Sequence, residues 1–272
     1  MDGDSAGAAI REATRKRAGV LAAVAAGTAR KPALVDALDV SRSTVDRAVD
    51  DLTEAGLAVD DGGAVAPTAA GRLALSARRE YEGLTGALGE AAPLLASTAE
   101  DAPLDRALFA GADVAIADPQ APEAALTPAV EALAEADRLE GLAPVVKSNY
   151  ASLVYERVRE RGLSGELVVG RETLDSASSV AASGGYDDLA AVFSAEPVTL
   201  LTTDEALPYA LWIARVEDGT DTAGVTVHDG GAIVGVVAND DPAAVEWAEG
   251  VYAGYRDGAE PFDPSLLDDG RA

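Results

Sequence analysis

Residues 31–68 place four local signals in an order that few folds accommodate. Pro32 stands in the first turn of one predicted helix, and Ser41 offers its hydroxyl as the N-cap of the next. Gly56 ends that helix, and Asp61-Gly62-Gly63 favours a tight hairpin turn with positive φ. Two helices joined by a tight turn and followed by a hairpin predict a winged helix-turn-helix.

Apolar residues at helical spacing support this interpretation and extend it toward the N-terminus. They predict helices near residues 8–26, 31–39 and 41–56, with apolar faces formed by Ile10, Ala13, Val20, Leu21 and Val24, then Leu34, Val35 and Leu38, then Val45, Val49 and Leu52. We therefore expect a winged helix-turn-helix DNA-binding domain over residues 1–70.

A long helix is expected to follow the hairpin. Thr68 is its predicted N-cap, and the helix extends over residues 69–97 with an apolar stripe of Leu73, Leu84, Leu88, Leu94 and Leu95. We assign residues 71–100 to a linker helix that joins the two domains and forms a homodimer.

Beyond residue 100, short apolar runs alternate with helical patterns, which predicts an α/β layer with some parallel pairing. The predicted strands here are 113–118, 143–146 and 165–170, and the predicted helices are 123–141 and 149–162. Mainly antiparallel strands are expected later, at 196–203, 209–216, 224–230 and 232–240, followed by a helix over 241–258 and a loose tail over 257–272. Residues 101–272 thus form a predicted effector-binding domain, and the chain is a multidomain α/β protein.

Charge is distributed unevenly. Residues 1–80 contain 11 Lys and Arg against 12 Asp and Glu, a net charge of −1, whereas residues 81–272 contain 10 against 35, a net charge of −25. Such acidity is typical of halophilic proteins, and a domain that contacts phosphate would be spared it. The chain has no cysteine, which excludes disulfides and thiolate sites. We expect a cytoplasmic protein that does not enter a membrane.

The N-terminal end of the third helix is the expected DNA-reading surface. Arginine can pair there with guanine in the major groove, while Ser and Thr reach phosphates or base edges. The predicted contacts are Ser41, Arg42, Ser43, Thr44 and Arg47, with further phosphate contacts from Arg30, Lys31 and the basic residues at 11–17. Those basic clusters have an alternative interpretation as solvated helix faces. Asp46 lies close to the reading face, Asp50 and Asp51 pair with Arg47 or face solvent, and Asp60 and Asp61 occupy the hairpin tip.

Catalysis has little support in the sequence. The only histidine, His228, lies at the start of a predicted hairpin turn, and the chain has no GxxxxGK[ST], GxGxxG or HExxH motif. We therefore predict no catalytic residue, no metal site and no cofactor.

Anion binding is better supported, at the ends of two predicted strands. Lys147, Ser148 and Asn149 stand where a strand passes into a helix, and Arg171 follows the next strand in the same way. If these strands are neighbours, both cations face one crevice, with Thr202 and Thr203 at its rim. Pairing of both cations with local carboxylates is the alternative.

A family resemblance adds to this picture. "GLAVDDGGAVAPTAAGRLAL", "YALWIARV", "VHDGGAIVGVVANDD" and "AAVEWAEGVYAGYRDGAEPF", in this order, resemble archaeal regulators with a FilR-type effector domain, related in plan to TrmB-like sugar-responsive regulators. The resemblance implies a dimeric haloarchaeal transcription factor and a phospholipase-D-like effector domain without catalytic residues. Val145 agrees with the last point, because it stands two places before Lys147, where the enzymes have histidine. The TrmB analogy implies a sugar phosphate of central carbon metabolism as effector.

The leading hypothesis is a transcriptional regulator that binds promoter DNA as a homodimer and responds to a small anionic metabolite. The alternatives are a winged-helix adaptor that binds only proteins, and an α/β hydrolase or transferase with a regulatory winged helix.

Overall fold

A computed structural model describes residues 3–28, 30–145, 148–174, 197–217 and 219–262. The chain divides into two compact units, residues 1–83 (unit 1) and residues 84–272 (unit 2). Unit 1 contains the helices α1 (Gly3–Ala25), α2 (Lys31–Leu38) and α3 (Arg42–Glu54), then the antiparallel strands β1 (Ala58–Asp61) and β2 (Ala64–Pro67). Helix α4 (Ala69–Glu90) begins in unit 1 and ends in unit 2.

The predicted helix end, hairpin turn and helix N-cap of unit 1 are confirmed. Gly56 has a φ of 72°, and the Leu57 amide donates to the Leu52 carbonyl over 2.8 Å, which closes the end of α3 in a Schellman motif. Gly62 and Gly63, with φ of 60° and 92°, form the two-residue turn of the β1–β2 hairpin, called the wing below. The Gly71 amide donates to the Thr68 hydroxyl, which caps α4 as expected.

The core of unit 1 joins all of these elements. Its fully buried side chains are Leu21, Leu34, Val45, Leu52 and Leu57. They come from α1, α2, α3 and the first residues after α3, so the amphipathic pattern of the sequence predicts this core correctly.

The single long helix expected over residues 69–97 is wrong. Helix α4 ends at Glu90, and a separate helix α5 (Ala92–Ala96) begins beside Pro93, which has no amide hydrogen to continue the α4 ladder. The leucines of the predicted apolar stripe also lie in two different environments. Leu84, Leu88, Leu94 and Leu95 pack in the core of unit 2, whereas Leu73 remains 73% exposed.

Unit 2 is built around one sheet, with strands in the order β10-β6-β5-β4-β7-β8-β9-β3 within the described residues. Strands β4, β5 and β6 are parallel, and the remaining pairs are antiparallel, as the alternation and the later strand run predict. The strands are β3 (Asp113–Ile116), β4 (Arg138–Ala143), β5 (Ser164–Gly170), β6 (Val198–Thr203), β7 (Ala210–Arg215), β8 (Thr222–Asp229), β9 (Ala232–Asn239) and β10 (Glu260–Pro261).

Helices cover both faces of the sheet. They are α6 (Arg106–Phe109), α7 (Thr127–Glu135), α8 (Ser148–Arg161) and α9 (Pro242–Asp257), with a 3-10 helix at Pro122–Leu126. Val168 and Leu201 pack with residues of α5, α6 and α9, whereas their neighbours Val169 and Leu200 pack with α7 and α8. The period of two along each strand therefore divides the apolar residues between two layers.

Two expectations for unit 2 are wrong. The helix expected over residues 123–141 ends at Glu135, and residues 138–143 form strand β4. The strand that the sequence placed at 143–146 is β4, which begins five residues earlier than expected. Tertiary pairing overrides the local helical pattern here: a Cβ on Gly141 would stand 2.2 Å from the Leu211 carbonyl oxygen, so only glycine allows β4 and β7 to approach. Residues 257–262 are not part of a loose tail, because Glu260 and Pro261 pair with β6, and the rest of the predicted tail lies outside the described residues.

Among the described residues, none of the helices is both long enough and apolar enough to cross a membrane.

Candidate nucleic-acid interface and strand-end site

The first turn of α3 is held by the hydroxyls of its own residues. Ser41 caps the helix by accepting from the Thr44 amide at 3.2 Å, and its Oγ also lies 2.9 Å from the Ser43 hydroxyl and 2.8 Å from the Thr44 hydroxyl. All three residues are exposed. This end of α3 therefore presents a cluster of hydroxyls and the positive end of the helix dipole to solvent.

Two guanidinium groups of α3 are exposed. The side chain of Arg42 is 88% exposed, and its only ion pair among the described residues is a 4.0 Å contact with Asp46. Arg47 is exposed and makes no ion pair with any described residue. Both side chains are available for a ligand.

Two of the four carboxylates of α3, those of Asp46 and Asp51, contact cations from outside the helix. Lys31 Nζ lies 3.5 Å from Asp46 and 2.8 Å from Asp60 of β1, and the lysine side chain is only 22% exposed. The hydrogen bond with Asp60 raises the pKa of Lys31 and lowers the pKa of Asp60. Lys31, predicted as a phosphate contact, is thus paired within the protein, and Asp60, which also accepts from the Gly63 amide of the wing turn at 2.9 Å, is its partner.

Asp51 is paired in the same manner. Arg17 Nε of α1 donates to its carboxylate at 2.9 Å, so Asp51 pairs with Arg17 and the expected pairing with Arg47 is wrong. Asp50 remains exposed.

The remaining basic residues of unit 1 differ in their surroundings. Arg30 is exposed, and its backbone pairs with Ala64 of β2 in an isolated bridge, which places it beside the wing. Arg15 and Lys16 both contact Glu12 on α1, and hydrogen bonds from these two residues lower the pKa of Glu12 to about 2. The α1 cluster is therefore partly neutralised by its own helix.

The strand-end site lies at the carboxyl edge of the three parallel strands. Ala143 of β4 pairs with Val169 of β5, and Gly170 pairs with Thr203 of β6, so these three strands end at the same edge of the sheet. The predicted adjacency of the first two strands is confirmed. Arg171 follows β5 at this edge, as expected.

Arg171 is engaged by carboxylates in this structure. Its Nε donates to Asp204 at 2.7 Å, and its Nη2 lies 3.6 Å from Glu260 of β10. Pairing with local carboxylates, which the sequence left open, therefore occurs for Arg171. Lys147 lies outside the described residues, and Ser148 and Asn149 begin α8, where only their backbone is described.

The two threonines of β6 are less accessible than expected. Thr202 is 3% exposed and Thr203 is 6% exposed. Their hydroxyls bond within the protein, Thr202 to the Glu260 carbonyl at 3.4 Å and Thr203 to the Glu205 amide at 3.1 Å. They form the wall behind the site and not its rim.

Two charged clusters in unit 2 were not anticipated from the sequence. Arg215 of β7 contacts Glu140, Asp221 and Glu249 at 3.1, 3.0 and 2.6 Å. Glu166 of β5 accepts from Tyr252 at 2.7 Å and from Arg256 at 2.6 Å. Both clusters connect the sheet to α9. Only the strand pairing brings their members together, so no local sequence signal could have identified them.

Residues 122–258, just over half of the chain, match the family model described as methanogenesis regulatory protein FilR1, middle domain. The chain belongs to this family. The matched residues extend from the 3-10 helix of unit 2 to the end of α9 and include the strand-end site. Residues 6–88 match a second family model, HVO_A0261 N-terminal domain, which includes the predicted DNA-reading surface.

Several solved structures are similar at low identity. The alignment with the archaeal chromatin protein TrmBL2, whose structure shows a novel mode of DNA binding, covers 91% of this chain and 93% of that chain, with 16% identity and a TM-score of 0.39. NucT from Helicobacter pylori is 11% identical, over 56% of this chain and 98% of that chain, with a TM-score of 0.40. Nuc from Salmonella typhimurium, a phospholipase D family member, is 13% identical, over 56% and 97%, with a TM-score of 0.42. These similarities are too remote to indicate function. No curated protein matches the chain.

Proposed function

We propose that the chain is a cytoplasmic transcriptional regulator that binds promoter DNA through unit 1 and a small anionic metabolite through unit 2. Membership of a family named for a regulatory protein supports this role. Two features support DNA as the partner. Unit 1 has three helices followed by the wing, and residues 1–80 have a near-neutral net charge.

The observation that favours DNA most is the separation of charges on α3. Asp46 and Asp51 are held by Lys31 and Arg17, whereas Arg42 and Arg47 extend into solvent. The carboxylate closest to the first turn of α3, that of Asp46, is therefore neutralised, and the exposed Asp50 and Glu54 lie farther along the helix. In this orientation Arg42 and Arg47 reach base edges in the major groove, and Ser41, Ser43 and Thr44 reach phosphates.

A homodimer fits this proposal. Two recognition helices read successive faces of the major groove only if they lie about 34 Å apart, which a two-fold symmetric pair provides. Leu73 and Tyr81 of α4 are 73% and 67% exposed and lie eight residues apart on one helix face. We propose this face as the contact with a second copy.

The anionic metabolite is proposed to bind at the strand-end edge, where Arg171 would leave Asp204 and Glu260 for a phosphate group. The TrmB analogy favours a sugar phosphate of central carbon metabolism. A coupling of about 1–3 kcal/mol between this site and DNA affinity is enough to switch a promoter.

The test is a pair of double variants of equal charge. Arg42→Ala with Arg47→Ala should weaken binding to the DNA upstream of the protein's own coding sequence by about tenfold or more for each arginine. Arg159→Ala with Arg161→Ala, on α8, removes the same charge far along the sequence and should leave binding within about threefold. Equal losses in the two variants would reject the reading surface, and an absence of DNA binding by the native chain would favour the protein-binding adaptor.

A further inference from the structure

A groove of about 620 Å³ lies along one side of α9 in unit 2. Trp247, Val251 and Tyr255 form its apolar wall, and Gly250 and Gly254 form its floor. These residues share one face of α9, because the other four lie three, four, seven and eight positions after Trp247. A Cβ at either glycine would meet no atom within 4 Å, so both glycines keep this space open.

The rim of the groove is acidic. Glu205 follows β6 and Glu246 lies on α9, and neither makes an ion pair with any described residue. Elsewhere in unit 2, Glu140, Glu166 and Glu249 all pair with arginine. Burial raises the pKa of Tyr255, and the nearby charges of Glu205 and Asp101 raise it further, so negative potential extends to the aromatic wall.

Aromatic faces next to carboxylates without cationic partners attract organic cations. A positive centre over the ring of Trp or Tyr is stabilised by the ring quadrupole, and more strongly when water is partly excluded. The carboxylates add Coulomb attraction, and the apolar wall accepts the carbon body of the ligand. Anions are disfavoured in the groove, because both charged residues that line it, Glu205 and Glu246, are carboxylates.

We propose that the α9 groove binds an organic cation with an apolar body, such as an aryl- or alkyl-substituted ammonium or phosphonium ion. This site adjoins the strand-end site, because Glu205 directly follows Asp204, and it takes a ligand of opposite charge. It does not depend on the proposed DNA binding.

Calorimetry on the full-length chain with two ions of the same shape tests the charge requirement. Tetraphenylphosphonium and tetraphenylborate differ in the sign of their charge, and titration in about 1 M NaCl reduces the Debye length to about 3 Å, which suppresses non-specific attraction. Tetraphenylphosphonium should bind with one site per chain, and tetraphenylborate should not. Equal binding of both ions, or of neither, would overturn the proposal.

Variants then assign the site. Glu205→Gln with Glu246→Gln should weaken tetraphenylphosphonium binding about tenfold or more, whereas Glu131→Gln with Glu135→Gln, two exposed carboxylates of α7, should leave it unchanged. Gly250→Leu should abolish binding while raising the melting temperature, because leucine favours the helix and fills open space. Unchanged binding in Gly250→Leu would overturn the proposal. A second result would also overturn the proposal: the native chain binds no cation, and Gly250→Leu self-associates less than the native chain. The groove would then be a contact between two copies.

Discussion

Lys31 Nζ lies 2.8 Å from the Asp60 carboxylate, and this contact connects the first residue of α2 to the wing. The same ammonium group lies 3.5 Å from Asp46 of α3. One partly buried lysine therefore fixes the wing relative to the proposed recognition helix. Because the bond with Asp60 raises the pKa of Lys31, the group stays charged at every pH at which the protein would bind DNA.

Replacing Lys31 should weaken DNA binding without removing a DNA contact. In Lys31→Met, Asp46 and Asp60 lose their partner and face the phosphates, so affinity should fall about tenfold. Lys16→Met removes an equal charge from the exposed face of α1 and should cost less than about threefold. Filter binding at two salt concentrations measures both.

A triple variant distinguishes repulsion from a simple loss of charge. Adding Asp46→Asn and Asp60→Asn to Lys31→Met removes the two exposed carboxylates and should restore most of the lost affinity. No recovery would show that Lys31 contacts DNA itself, as the sequence suggested.

The two halves of the leucine stripe on α4 and α5 should respond differently to truncation. Leu94 is fully buried in unit 2, so Leu94→Ala should reduce the free energy of unfolding by about 2–5 kcal/mol. Leu73→Ala, at a 73% exposed position, should change stability by less than about 0.5 kcal/mol and weaken the proposed dimer. Urea unfolding and sedimentation equilibrium measure the two effects. A dimer that Leu73→Ala and Tyr81→Ala leave intact would exclude this face of α4.

Acid should remove a stabilising contribution from Glu166. Burial alone would raise its pKa, but hydrogen bonds from Arg256 and Tyr252 lower it below the usual value of 4.5. A depressed pKa in the folded state stabilises the protein above the unfolded pKa, and this stabilisation disappears as the pH falls through the folded pKa. Glu166→Gln should therefore cost about 1 kcal/mol at neutral pH, and the difference from the native chain should shrink below pH 4.5.

Urea titrations at a series of pH values test this prediction, with Glu160→Gln on the exposed side of α8 as the control. A constant difference between the native chain and Glu166→Gln down to the acid transition would show that the ion pair with Arg256 contributes nothing that depends on pH.

The ion pair of Arg171 with Asp204 should compete with anion binding at the strand-end edge. Asp204→Asn removes the shorter of the two ion pairs of Arg171 described above and should increase the affinity for inorganic phosphate several-fold, whereas Arg171→Ala should reduce it by about tenfold. Calorimetry with phosphate and with a hexose phosphate measures both changes. If neither variant alters phosphate binding, Arg171 only connects β5 to the loop after β6.

The sequence predicts most local features of unit 1 because those features are set by neighbouring residues. Ser41, Gly56 and Gly62-Gly63 act through caps and positive φ, and each occupies the predicted place. The partners of Asp51 and Asp46 could not be predicted, since Arg17 lies 34 residues away and Lys31 lies 15 residues away in the chain. Only the packing of three helices brings these charges together.

In unit 2 the adjacency of the parallel strands was predictable, but the position of β4 was not. Arg138, Glu140 and Leu139 are compatible with a helix, and β4 forms because Gly141 allows close pairing with β7. The general rule for parallel strands correctly predicted that β4 and β5 end at one edge of the sheet, whereas ligand binding there stays a prediction. The pairing of Arg171 with Glu260 escaped prediction because residues 257–272 have the composition of a loose tail.

Within the described part of the chain, the two-residue strand β10 is one edge of the sheet. Glu260 and Pro261 pair with β6, and Phe262 donates its amide to the Leu200 carbonyl at 3.0 Å. Proline cannot donate a hydrogen bond to a further strand, and the neighbouring carboxylate repels acidic chains. This short strand therefore protects the β6 side of the sheet against edge-to-edge aggregation, a hazard that grows when concentrated salt screens the repulsion between highly charged molecules.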